Sequence, residues 1–153
     1  MELNVISKMW NEAKPRTQGL PYIKPGNYTL EIECCKLVDS QKSADTFFVS
    51  EFKVVESSNE EFKPGDMVCV MGNLKHKPVV SDTREFIATC TQAAFDSVTP
   101  EVLAAVTHPE KNSLKGTVVH CTATDVPSQK TGALFTRHRW RLVNMAPGLK
   151  KGK

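Results

Sequence analysis

Residues 128–143 read SQKTGALFTRHRWRLV, and residues 40–55 read SQKSADTFFVSEFKVV. A shift of 88 positions aligns the two stretches without a gap. Val38, Ser40, Gln41, Lys42, Phe47 and Val55 meet identical residues at Val126, Ser128, Gln129, Lys130, Phe135 and Val143. Phe52, Lys53 and Val54 meet Trp140, Arg141 and Leu142. In each copy a polar, turn-forming segment leads into alternating large side chains, the pattern of a hairpin loop feeding a half-buried strand. The chain is therefore expected to contain two hairpins of shared geometry.

The second copy decides which face is which. Successive strand residues point to opposite sides, so Arg137, Arg139 and Arg141 share one side with Phe135. Burying unpaired charges costs several kcal/mol or more, which turns that side to solvent or to a partner. Trp140 and Leu142 then face the core, and His138 is read as an interior histidine. The repeat carries this over to the first copy, with Phe47, Val49, Glu51 and Lys53 outward and Phe52 and Val54 inward. The segment LKGTVVHCTATDV (114–126) gives two conflicting readings. The repeat turns Val118, His120 and Thr122 inward, whereas the apolar pattern favours Val119, Cys121 and Ala123; a β-bulge would reconcile them.

Outward from the hairpins the chain alternates between the same two periods. YTLEIEC (28–34) reads as a strand with Leu30, Ile32 and Cys34 on one side, and MVCVMGN (67–73) as a third strand. SDTREFIATCTQAAF (81–95) has helical spacing, with Phe86, Ile87, Cys90, Ala93 and Ala94 on one face and Asp82 and Glu85 placed as a capping box. TPEVLAAVTHP (99–109) reads as a second short helix, capped by Thr99, opened by Pro100 and stopped by Pro109. Residues 1–26 carry Pro15, Gly19, Pro21, Pro25 and Gly26 and are read as an irregular arm, pinned to the core by Trp10 and Tyr22. APGLKKGK at the other end is read as a mobile basic tail over 146–153. The order strand, strand, strand, helix, strand, strand predicts an all-β fold with a helical insertion, an OB-like five-stranded antiparallel barrel over 27–145. A small sandwich with helices at one end is the competing architecture.

Composition narrows the function classes. The chain has 153 residues, enough for one core, and no apolar run of the roughly 20 residues that a membrane span needs. The start, MELNVISKMWNEAKPR, lacks a basic head followed by an apolar block, so no secretion signal is expected. Five cysteines at 34, 35, 69, 90 and 121 have no metal-type spacing and are read as reduced core thiols of a cytoplasmic protein. Phosphate-loop, nucleophile-elbow and zinc-protease motifs are missing, so neither an enzyme, a cofactor nor a metal is expected. The net charge is only +3, but it is polarised. Residues 111–153 hold nine Lys or Arg against Asp125, and residues 28–62 hold eight acids against three lysines. Such a molecule can offer a polyanion one face.

The outward parity of the hairpins supplies the candidate contacts. An exposed ring among arginines suits nucleobases, which stack on aromatics for about 1–3 kcal/mol each whatever their sequence. Phe47 and Phe135 are the candidate stacking residues, with Lys53, Arg137, Arg139 and Arg141 beside them. Lys42 and Lys130, at the two loop tips, are placed to clamp a strand, and Lys75 and Lys77 in LKHKP extend the basic track. Each feature also has a plainer reading: solvated loop lysines, arginines that protect a sheet edge, and rings covered by the arm.

The stretches LPYIKPGNYTLEIE, TFFVSEFKVVESS, KPGDMV and TGALFTRHRWRLV resemble the small OB-fold single-stranded DNA-binding proteins of bacteriophages. The resemblance implies a non-enzymatic protein that coats single strands in DNA replication and recombination, in the host cytoplasm. It implies that barrel aromatics and basic loops hold the strand, here Phe47, Phe135, Arg137, Arg139 and Arg141. Single-stranded DNA is the expected partner, with RNA as the other candidate strand. Self-association and contacts with replication or recombination proteins are compatible, and a membrane is not expected. The alternative is a protein-interaction or virion-assembly module that uses the two oppositely charged halves.

Overall fold

The computed structural model describes residues 20–40, 44–127 and 134–147, the side chains of 134 and 135 excepted. Five strands form one antiparallel sheet: β1 (Gly26–Asp39), β2 (Thr46–Ser57), β3 (Met67–Asn73), β4 (Val118–Pro127) and β5 (Leu134–Asn144). Their order in space is β3-β2-β1-β4-β5. Between β3 and β4 lie α1 (Lys77–Thr91), a 3-10 turn (Phe95–Ser97) and α2 (Pro100–Val106). The protein is thus mostly β, with a helical insertion after the third strand.

The two hairpins do share a geometry. Val38 lies opposite Phe47 and Cys35 opposite Ser50; in the second hairpin Val126 lies opposite Phe135 and Ala123 opposite His138. Each pair maps onto its counterpart under the same 88-residue shift. The match ends at a bulge in β1, where the register shifts between Ile32 and Cys34 and leaves Glu33 without a partner on β2. One inserted residue reverses the parity of everything beyond it. Tyr28, Leu30 and Ile32 are buried before the bulge and Cys35 after it, so Cys34 does not face the core as expected. The bulge also settles the conflict in β4. Val119, Cys121 and Ala123 are buried, and Val118, His120 and Thr122 lie on the other side.

The sheet is strongly curled. Phe52 on β2 and Trp140 on β5 stack with centroids 5.4 Å apart, although three strand spacings in a flat sheet would separate them by about 14 Å. Curling brings β3 and β5 toward each other, yet no ladder joins them among the described residues. The hydrogen-bonded closure of a barrel is therefore not seen. Instead residues 21–23 lie along the free edge of β3, where Ile23 N donates to Cys69 O (3.1 Å) and Cys69 N donates to Pro21 O (3.0 Å). From that edge the Tyr22 ring reaches to within 5.8 Å of the His138 ring on β5.

Helix α1 packs its apolar face on the curled sheet. The Phe86 ring lies 4.7 Å from Trp140, 6.1 Å from Phe52 and 6.2 Å from Phe48. Cutting such a side chain to alanine costs about 3–5 kcal/mol. The helix begins earlier than the capping-box pattern predicts. His76 is the N-cap without a side-chain cap bond, and Pro78 sits in the first turn, where its missing N–H and fixed φ are suited. Asp82 therefore lies inside the helix rather than at its cap. At the other end Gln92 takes φ 54° and its N–H caps the last turn. Ala93 and Ala94 thus fall beyond the helix and are exposed rather than on its buried face. Helix α2 follows its sequence signals, with the Thr99 hydroxyl accepting from Val102 N at 3.4 Å. After α2, Asn112 acts as a substitute strand partner for β1: its Oδ1 accepts from Cys35 N (3.2 Å) and its Nδ2 donates to Cys35 O (2.7 Å).

Candidate nucleic-acid interface

Arg137, Arg139 and Arg141 are exposed, and their neighbours His138, Trp140 and Leu142 are half-buried on the inner side of β5. The parity read from the sequence is therefore the parity of the fold. Successive arginines are two residues apart on the strand, or about 6.8 Å. None of the three is in a salt bridge with a described residue. Thr124, Thr122 and His120 of β4 lie directly opposite them, and Asn27 and Thr29 of β1 follow in the same rows. The Thr122 hydroxyl donates to Asn27 Oδ1 at 3.0 Å. A cationic row is thus flanked by hydroxyl, imidazole and amide groups. Planar guanidinium forks suit phosphate oxygens, and the neighbouring groups can add hydrogen bonds. The β4 contribution was not singled out in the sequence, because the repeat pointed those side chains the other way.

The remaining candidates do not join this row. Phe47 is half-buried and lies opposite Val38 and Asn73, at the far end of β1 from the arginines. Lys75 and Lys77 are exposed just beyond β3 on that same end, which Leu74 N ties to Thr46 O at 2.9 Å. Lys53 is exposed opposite Glu31, with β1 and β4 between it and β5. Lys42 and Lys130 lie outside the described residues, and Phe135 is described only by its backbone pairing with Val126. The pair Asp39 and Thr46, which flanks the first lysine's segment, and the pair Pro127 and Leu134, which flanks the second's, lie at opposite ends of the sheet. The described candidates are therefore dispersed: the β5 row, Lys53 on β2, and Lys75 with Lys77 at the end of the sheet where Phe47 lies.

Glu51 corrects the outward reading of β2. It is only 7 % exposed, and Val49 beside it on that face is buried as well. β2 is flanked on both sides by β1 and β3, and the carboxylate pairs with Lys36 Nζ at 3.0 Å while accepting from Cys34 Sγ at 3.1 Å. Burial and then this bond to the carboxylate push the Cys34 thiol up to about 11. Cys35 points to the opposite face, its Sγ 3.6 Å from Ser50 Oγ, and burial raises its thiol to about 12. None of the five cysteines is in a disulfide, and burial raises the thiols of Cys69, Cys90 and Cys121 too. Thiols held protonated in this way are poor nucleophiles at neutral pH. No group of three or more His, Cys, Asp or Glu among the described residues is placed to hold a metal ion. None of the described helices is long and apolar enough to cross a membrane.

No protein-family model matches the chain, and a search of curated proteins finds no match.

Proposed function

We propose that the protein binds single-stranded DNA without strong sequence preference, as a non-enzymatic protein of phage-type replication or recombination. The observation that carries this reading is the exposed row Arg137–Arg139–Arg141, in no salt bridge with a described residue and flanked by Thr124, Thr122 and His120. Oligonucleotides meet such a surface mainly through their phosphates, which need no sequence. On this reading the curled sheet is a partly open OB barrel, with residues 21–23 filling the seam between β3 and β5. The strand order and the approach of Phe52 to Trp140 across the sheet support that assignment.

Fluorescence anisotropy with single-stranded DNA, duplex DNA and RNA at a series of salt concentrations tests the reading. Three phosphate contacts on a single strand contribute about −2 to the slope of log K against log salt. Replacing the three arginines by glutamine is expected to flatten the slope by about that amount. An unchanged slope, or indifference of the protein to every oligonucleotide, overturns the proposal. Tight self-assembly together with that indifference would instead favour the interaction module.

A further inference from the structure

Resting on this reading, we infer that Tyr22 is the platform on which a base of the bound single strand stacks. Phosphates that follow the arginine row leave the bases two ways to turn. Toward β4 they meet Thr124, Thr122 and the half-buried His120. Over the outer edge of β5 they meet Tyr22, whose ring is 5.8 Å from that of His138, the residue between Arg137 and Arg139. Tyr22 is 38 % exposed as a residue, so it is not sealed in the core. The other well-exposed described aromatic, Phe95, already has the Arg84 guanidinium over its ring at 4.5 Å.

Tyr22 is also held ready. The backbone on both sides of it is hydrogen-bonded to Cys69 of β3, and its hydroxyl is 3.5 Å from Met71 O. Ordering a stacking residue in advance removes a cost that a mobile ring would meet on binding. An aromatic ladder stands behind it: Tyr22 meets His138, His138 stacks on Trp140 and Trp140 on Phe52. The platform is thus braced on the core rather than borne on a loop tip.

The test compares the full chain with Tyr22→Phe, Tyr22→Leu and the triple arginine-to-glutamine variant, by anisotropy. The ligands are labelled oligothymidylate and an abasic oligomer of equal length, which keeps the phosphates and lacks the bases. Tyr22→Leu is expected to weaken oligothymidylate binding by about 5- to 150-fold, the equivalent of losing one stacked base. Its salt slope should be unchanged, its affinity for the abasic oligomer should equal that of the unaltered chain, and Tyr22→Phe should bind like the unaltered chain. Equal losses on both ligands mean that Tyr22 only supports the fold, and overturn the inference. A Tyr22→Leu variant that binds oligothymidylate normally overturns it too, while the arginine reading survives if the triple variant still loses affinity. Failure of the unaltered chain to bind any oligonucleotide defeats the proposed function and this inference together.

Discussion

His138 shows how a single side chain is coupled to the fold. It sits between two exposed arginines yet faces inward, edge-on to Tyr22 and stacked on Trp140. Its Nε2 is buried without a hydrogen-bond partner among the described residues. Burial alone lowers its pKa from 6.5 to about 4. The folded state therefore holds it neutral, and between those two values the unfolded chain binds more protons. Stability falls as pH drops from about 6.5 toward 4, by up to about 3 kcal/mol. Urea denaturation of the full chain across that window should show the loss, and His138→Leu should flatten it; parallel profiles for the two proteins would contradict the assignment. At the same scale Glu51 exemplifies a carboxylate that parity placed on the surface and that the fold instead buried with Lys36 and Cys34.

At the scale of elements, the contact between β3 and α1 is tight enough to predict a substitution. A Cβ on Gly72 would lie 2.5 Å from Val79 Cγ1 in the first turn of the helix. Gly72→Ala is expected to cost about 1–3 kcal/mol by overpacking, and adding Val79→Ala should recover part of it in chemical denaturation. A fully stable Gly72→Ala variant would show that the helix start yields freely. The strands and the outward turn of the arginines were legible in the sequence, because charge on one parity and Trp140 and Leu142 on the other leave little choice. The helix start was not, because Asp82 and Glu85 mimic a cap while Pro78 sets the true first turn. The face of β4 was half-legible. Its apolar residues gave the right side, while the repeat misled, since the extra residue Glu33 changes parity in β1 and not in β4. Tyr22 was recognisable as a pin from its place in a proline-rich arm, but not its position beside β5, which depends on the curl of the whole sheet.

At the scale of the molecule, the proposed single-stranded ligand would meet cations at both ends of the sheet, which would set a length requirement on it. The β5 row lies at one end, and Lys75 and Lys77 lie at the other. Single OB folds cover about 4–16 nucleotides. Across an oligothymidylate series in that range, replacing Lys75 and Lys77 by serine should weaken only the longer ligands, whereas the arginine substitutions should weaken all of them. Equal losses at every length would mean that the two groups do not share one strand. The short parallel pairing of residues 21–23 has a consequence of its own. A protein trimmed to start at Lys24 would keep all five strands while baring the flank of β3 around Cys69, and an uncovered strand flank recruits other chains. Light scattering on the trimmed protein should then report concentration-dependent association beyond that of the full chain, as expected of a bared strand flank; a trimmed protein that associates no more than the full chain would remove the office of edge guard from the tripeptide.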